Sequence, residues 1–240
     1  MSIRPPKSLK NRSTAHRNSS VLAKRSRRQL GPFVKRVAQD GNALDPSFSP
    51  PETWYEPAET GGTEFDIIVQ NPGPGYRHIV TPDEIRSRLG LLPSDYLEPL
   101  ETIQLSEMTR KKRRFPCYGM QWGSALYLYP VETNLVEYFA RPPKPAQRIE
   151  SQMYGGRWIE DQRGHWRLCW TEQSIKNFYL NNILMHELGH LLDDRNTSYT
   201  DRERYAEWFA LEYGYKSAHQ KNLAACSRKQ VRRRHHSRQS

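Results

Sequence analysis

The chain of 240 residues lacks long apolar runs and contains few cysteines. No segment approaches the roughly 18 consecutive apolar residues that a membrane-spanning helix requires, which excludes that class of protein. Cys117, Cys169 and Cys226 are odd in number and have no CxxC spacing, which excludes a disulfide scaffold. Such cysteine usage is typical of a reducing compartment, and we therefore expect a cytoplasmic protein.

Acidic residues are missing from both ends of the chain. Residues 1–39 carry 11 Lys and Arg, residues 215–240 carry 8, and neither segment has an Asp or Glu. Residues 40–214 hold 18 basic and 26 acidic residues, so an acidic body of net charge −8 lies between two basic tails. The tails can contact nucleic acid through its phosphates, without sequence specificity, and would then associate the protein with the nucleoid.

Composition divides the chain into three parts. Residues 1–63 are a basic tail followed by a Pro- and Gly-rich linker, and residues 215–240 form a second basic tail; both have too few large apolar residues to offset the entropy of ordering. We expect both tails to be disordered. Residues 64–214 contain strand and helix patterns and are expected to form one domain.

Turn and capping residues mark the elements of this domain. Thr81, Pro82 and Glu84 form a helix start with a capping box, and Gly90 ends that helix. Solvated or connecting segments are expected at residues 110–114, a run of five basic residues that could otherwise contact nucleic acid, and at the Pro-rich 141–147. The remaining predictions are strands at 64–70, 97–108 and 120–130, a hairpin over 156–171 that turns at Arg163-Gly164, and helices over 172–193 and from about 201 to 213.

The helix over 172–193 contains the pattern H-E-x-x-H, formed by His186, Glu187 and His190. Residues four apart lie on one face of an α-helix, so the two imidazoles can converge on one metal ion. Glu187 lies about 100° round the helix from His186 and can reach a water bound to that metal. Because the surrounding residues are apolar, these polar groups need partners, and a zinc ion would supply them.

A third ligand is expected from the next helix, where Glu203 and Glu207 lie four residues apart on one face. The segment Glu203-Arg-Tyr-Ala-Glu207-Trp-Phe-Ala210 resembles the E-x-x-A-[D/N]-x-x-A helix of gluzincin zinc peptidases, with Glu at position 207 where that group usually has Asp or Asn. The amino-acid sequences of both helices are most similar to those of ImmA/IrrE-type peptidases. The resemblance covers roughly residues 172–214.

The resemblance implies that Glu203 is the third zinc ligand and that Glu207 orients a ligand histidine. It also implies a zincin-like α+β fold, in which a small mixed or antiparallel sheet packs on the HExxH helix, and residues 120–130 are then the candidate edge strand for an extended peptide. The residues themselves leave alternatives open: Glu207 could be the ligand, or neither acid, because Thr200 and Glu203 also fit a helix-capping box.

A glycine within the HExxH motif also needs a structural explanation. Gly189 lies inside a helix, where it costs about 1 kcal/mol relative to Ala, and close approach of another backbone would explain it.

A peptidase also needs a donor for the oxyanion, and the sequence offers His165, Tyr154, Tyr205 and Tyr213 without choosing among them. Of these, His165 is better explained as a structural histidine on a strand.

Together these patterns predict a zinc-dependent metallopeptidase in which His186, His190 and Glu203 bind Zn²⁺ and Glu187 is the general base. Its partner is then a protein or peptide substrate. Two alternatives belong to other classes: a catalytically silent zinc-binding module docked on nucleic acid through its tails, and a zinc hydrolase that acts on a bond other than a peptide.

Overall fold

The computed structural model describes residues 51–52, 65–114 and 116–220, which form the α+β arrangement that the sequence predicts. The strands of the main sheet are β1 (Asp66–Val69), β3 (Thr102–Leu105), β4 (Gly119–Trp122) and β5 (Ala125–Leu128). Their order is β1-β3-β5-β4; the first three are parallel, and β4 pairs antiparallel with β5 at the edge. The sheet is therefore mixed.

Two smaller antiparallel sheets complete the strands. One pairs β2 (Tyr76–Arg77) with β6 (Val131–Glu132). The other has the order β7-β9-β8, formed by β7 (Val136–Phe139), β8 (Arg157–Glu160) and β9 (Trp166–Cys169). The β8–β9 hairpin was predicted from its turn, where Gly164 adopts a φ of +76° that favours glycine.

The helices include two long runs that contact each other. The described helices are α1 (Pro82–Leu89), α2 (Arg110–Arg114), α3 (Pro145–Met153), α4 (Glu172–Phe178), α5 (Leu184–Leu192) and α6 (Tyr199–Phe209). A π-helical segment, Tyr179–Ile183, joins α4 to α5, and another, Ala210–Lys216, continues α6. The second run stays helical through residue 220, six residues past the predicted domain end at residue 214, so the expected disorder of the second tail is wrong for residues 215–220.

Local sequence signals explain where several helices begin. The Thr81 hydroxyl accepts the Glu84 N–H at 3.3 Å, and the Glu84 carboxylate accepts the Thr81 N–H at 3.0 Å, so the predicted capping box is confirmed. The hydroxyl of Thr171 caps α4 in the same way, by accepting the Ser174 N–H at 3.1 Å. Both caps satisfy backbone donors that have no partner within the helix.

The core lies between the main sheet and the two helical runs. Leu126 on β5, Ile103 on β3 and Leu184 and Leu188 on α5 are fully buried within one apolar cluster. The helix α5 contacts both β4 and β5. The sheet therefore supports the helix that carries the HExxH residues, as the sequence predicts.

The single strand predicted over residues 120–130 is wrong, because the chain reverses within it. Gly123 adopts a φ of +59°, and the segments before and after it pair as the antiparallel strands β4 and β5. Because apolar residues alternate both before and after the turn, the sequence shows one uninterrupted strand pattern. Of these two strands, only β4 lies at an edge of the sheet, because β5 pairs on both sides.

The basic run at residues 110–114 forms the short helix α2, and the prediction of a solvated loop is wrong. Lys112 is buried: its Nζ lies 3.0 Å from Cys117 Sγ and 4.2 Å from the centroid of the Tyr129 ring. The aromatic face and the sulfur accommodate the ammonium group, which a charge run in the sequence does not reveal.

Two other predicted boundaries also differ. The strand expected over residues 97–108 is limited to β3, and a 3₁₀ turn, Ser94–Tyr96, precedes it. The connector expected at residues 141–147 includes the start of α3, where Pro145 occupies the first turn. Proline fits both a loop and a helix start, so the pattern did not distinguish them.

Most of the two basic tails lies outside the described residues, including all of residues 1–39. For those undescribed residues, the expected disorder and the contact with nucleic acid stay predictions. Among the described residues, no helix combines the length and the apolar character needed to cross a bilayer.

Candidate metal centre

The helix α5, which carries the HExxH residues, is buried in the core. Three apolar side chains of the same helix, Leu184, Met185 and Leu188, have no exposure to solvent and anchor the helix in the core. His186 is 8% and Glu187 is 2% exposed, so both polar groups are withdrawn from water. Groups buried to this degree need partners within the protein or a bound ligand.

The helix α6 presents Glu203 to the two histidines. Its N-cap is Ser198, whose hydroxyl accepts the Asp201 N–H at 3.1 Å. The proposed capping box of Thr200 and Glu203 is therefore absent, because Thr200 already lies inside the helix. The Glu203 carboxylate is free of that role, and its oxygens approach both imidazoles.

Close packing of α5 against α6 brings the two sets of ligands together. A Cβ atom added to Gly189 would lie only 2.9 Å from the Ala206 Cα, which confirms the expected approach of a second backbone. Arg202 on α6 also donates hydrogen bonds to the carbonyl oxygens of His190 at 2.9 Å and Asp193 at 3.1 Å. It thereby satisfies carbonyl groups at the end of α5 that lack partners within the helix.

The ligand atoms of His186, His190 and Glu203 converge. The two imidazole Nε2 atoms lie 3.1 Å apart, His190 Nε2 lies 3.3 Å from Glu203 Oε1, and His186 Nε2 lies 3.7 Å from Glu203 Oε2. Zinc bonds of about 2.0–2.1 Å at tetrahedral angles would place ligand atoms about 3.3 Å apart. These three residues can therefore hold a metal ion, and the described residues contain no other such group.

Electrostatics favour a cation at this point. Burial lowers the pKa of His186 to about 3, and the neighbouring His190 adds to that effect. The imidazole therefore stays neutral, which is the form that binds a metal. Burial alone would raise the pKa of Glu203. Its interactions with His190, and a hydrogen bond with the Tyr199 hydroxyl, outweigh burial and lower this pKa below its ordinary value. Glu203 Oε2 is buried and has no hydrogen-bond partner among the described residues.

The Glu187 side chain extends from α5 to the edge strand β4. A Cβ atom added to Gly119 would lie 2.9 Å from both Cγ and Oε1 of Glu187, so only glycine permits this approach. Burial raises the pKa of Glu187 to about 7, although the backbone N–H of Gln121 and the charge of Lys112 oppose the shift. The Glu187 Oε1 atom is buried and makes no hydrogen bond within the described part of the chain.

Gly119 and Tyr199 were not identified from the sequence as parts of this site, and Gln121 was included only in the candidate edge strand over residues 120–130. Gly119 and Gln121 lie on β4, far from the HExxH motif in the chain. Tyr199 opens α6, one turn before Glu203. The spacing of Tyr199 and Glu203, four residues apart in one helix, could have indicated the tyrosine, whereas only the tertiary packing brings β4 to Glu187.

Glu207 is exposed, one helical turn beyond Glu203. Within the described residues its carboxylate makes no hydrogen bond to either imidazole, and it does not belong to the group that can hold a metal. Its pKa is raised by partial burial and by the charge of Glu203. An orienting role for Glu207 therefore stays a prediction.

The four oxyanion-donor candidates lie in different places. The buried Tyr154 hydroxyl donates to the Asn181 carbonyl oxygen at 3.1 Å, and Tyr213 shares a hydrogen bond of 2.8 Å with another tyrosine hydroxyl. Tyr205 packs against Phe209 on α6. His165 is exposed next to Asp161 and does not occupy the structural position expected for it. No hydrogen bond joins any of these side chains to the metal-ligand group in the described structure.

Comparison of the chain with protein-family models, with curated proteins and with solved structures finds no match.

Proposed function

We propose that this protein is a zinc-dependent metallopeptidase of the gluzincin type, with a zincin-like fold. The observation that carries the proposal is the convergence of His186, His190 and Glu203 from two helices, with Glu187 buried beside them. Two imidazoles and one carboxylate are a ligand set that catalytic zinc uses, and three protein ligands leave a fourth position free.

The chain's own residues then have separate roles. His186, His190 and Glu203 hold the ion, and the close packing at Gly189 keeps the two helices at the required distance. When bound, zinc lowers the pKa of water and polarises a carbonyl group. Arg202 ties the end of α5 to α6, so that the histidines and Glu203 keep their relative positions.

Glu187 is the general base in this proposal. Its carboxylate takes a proton from the attacking water as the water oxygen bonds to the scissile carbonyl carbon. It then gives that proton to the amide nitrogen, so that the C–N bond breaks and a neutral amine leaves. A base is most effective when its pKa lies near the working pH, and burial raises the pKa of Glu187 towards that range.

The edge strand β4 offers a place for an extended substrate. Its inner edge pairs with β5, and the backbone N–H of Gln121 on β4 interacts with the Glu187 carboxylate. The described part of the chain has no strand on the other side of β4. A peptide that added to this edge would lie along the strand next to the general base.

The test combines metal analysis with a proteolysis assay on the full-length chain. We expect wild type to contain one zinc per chain, Glu203→Gln to lose most of it, and Glu187→Gln to retain it. We expect Glu187→Gln to lose peptide cleavage by a factor of at least about 10². Glu212→Gln, an exposed carboxylate beyond α6 whose partner is Lys216, is the matched control and should behave as wild type.

Two results would contradict the proposal. Absence of stoichiometric zinc from wild type would remove the metal centre, and cleavage by Glu187→Gln at the wild-type rate would remove the general base. An intact zinc site without any peptide cleavage would instead favour the zinc-binding module or the hydrolase of another bond. Salt-dependent retention on DNA would then support the former.

A further inference from the structure

Arg88 is a buried cation on α1 without an acidic partner. It is 8% exposed, its Nε donates to Asn181 Oδ1 at 2.6 Å, and one terminal nitrogen donates to the carbonyl oxygen of Tyr213. The other terminal nitrogen is buried and has no hydrogen-bond partner in the described structure. No carboxylate forms an ion pair with this guanidinium among the described residues.

The Arg88 side chain lines a cavity of about 640 Å³. The other lining residues are uncharged: most are polar, including Tyr154, Gln173, Asn177, Asn181 and Ser217, and Leu91 and Ala218 are apolar. No Asp or Glu belongs to the lining, so Arg88 is the charged residue of this wall. The volume falls within the range of about 300–1,000 Å³ that is typical of small-molecule sites.

We propose that this cavity binds a small molecule through a carboxylate or phosphate group that pairs with Arg88. A guanidinium remains protonated in proteins, so its burial without a counter-charge is unfavourable. An oxyanion bound in the cavity would supply the missing charge. The planar fork of donors in arginine fits the geometry of these two groups.

The electrostatics of the cavity agree with this assignment. Burial lowers the pKa of Arg88, and among the described residues only the Tyr154 hydroxyl, when it is ionised at high pH, acts against this shift. A carboxylate near the guanidinium would instead favour its charged form. The neighbourhood therefore stabilises the cation poorly until an anion is bound.

The cavity also adjoins the helical run that carries the metal ligands. Asn181, which accepts from Arg88, lies in the π-helical segment five residues before His186. Its backbone is tightly enclosed, since a Cβ atom added to Gly214 would lie 1.9 Å from the Asn181 carbonyl oxygen. A bound anion would hold Arg88 and Asn181 in place and so stabilise the segment that leads into α5.

Thermal unfolding of the full-length chain tests the site without reference to zinc or to activity. Inorganic phosphate and acetate are each titrated against chloride at constant pH and ionic strength. At a concentration tenfold above Kd, binding should raise the Tm by about 3–6 °C and then approach saturation. The arm that gives the shift identifies the preferred group.

Three variants locate the effect. Arg88→Gln removes the charge, and Gln173→Trp fills the cavity from an exposed position on its wall; we expect both to lose the saturable shift. Arg148→Gln removes an exposed arginine from α3, away from the cavity, and should keep it. If Arg88→Gln does not fold, Gln173→Trp decides, because the Gln173 side chain is exposed and makes no hydrogen bond or ion pair with the described residues.

The proposal is overturned if neither anion gives wild type a saturable shift beyond that of chloride. It is also overturned if Gln173→Trp, or a folded Arg88→Gln, retains the full shift. These outcomes are separate from those of the zinc and cleavage experiments, so either proposal can fail alone.

Discussion

Replacing Gly189 with alanine perturbs the contact on which the metal centre depends. The added methyl would lie 2.9 Å from the Ala206 Cα and 3.1 Å from the Phe209 Cβ, whereas ordinary contacts begin at 3.4 Å. Because the nearest atom belongs to the backbone, no side-chain rotation can relieve the clash. The helices α5 and α6 must separate locally by about 0.5 Å.

Two opposing terms set the size of the effect. Alanine is more favourable than glycine in a helix interior by about 0.8–1.0 kcal/mol. Overpacking of a closely packed contact costs about 1–3 kcal/mol, and a backbone clash belongs at the upper end of that range. We therefore expect Gly189→Ala to lower the free energy of unfolding by about 1–2 kcal/mol.

Denaturant unfolding in the presence of a chelator measures this difference without a contribution from metal. Arg204 on α6 provides the matched control, because its side chain is exposed and any Ala–Gly difference there reports helix propensity alone. Arg204→Ala should be more stable than Arg204→Gly by about 1 kcal/mol. At position 189 the order should reverse, with glycine the more stable residue.

A Gly189→Ala variant as stable as wild type, or more stable, would refute the reasoning. It would mean that the two helices are not packed as closely as the structure has them. The distance between the histidines and Glu203 would then lack the constraint that we assign to this contact.

Three further predictions concern other buried polar groups. Burial raises the pKa of Glu150 to about 8, so the unfolded chain releases this proton at lower pH than the folded protein. Stability should therefore fall as the pH rises from about 4.5 through 8, and Glu150→Gln should flatten that slope in pH-dependent denaturation; an unchanged slope contradicts this. Glu137→Ala removes the carboxylate that accepts from both the Tyr118 hydroxyl and the Trp170 indole N–H and should cost about 2–4 kcal/mol by denaturant unfolding, whereas a loss below 1 kcal/mol would argue against it. Lys112→Met keeps the volume and removes a buried charge, so the Tm should not fall; a drop of several degrees would show that the ammonium is needed.

Local signals in the sequence predicted several elements correctly. The capping box at Thr81 and Glu84 defines α1, and Gly164 marks the β8–β9 turn, because each depends on residues that are neighbours in the chain. The errors concern segments whose environment is set from a distance. Lys112 belongs to a charge run, yet Cys117 and Tyr129 fold around it, and no local pattern reports that burial.

The sequence by itself determined that His186 and His190 share one helix face with Glu187 beside them, because helical geometry fixes residues at i and i+4. Only the tertiary structure decided which acid of the next helix approaches them. The choice of Glu203 depends on the crossing of α5 and α6 at Gly189, and that crossing follows from packing between residues distant in sequence. The same holds for β4 beside Glu187 and for the cavity at Arg88, where long-range contacts set the geometry.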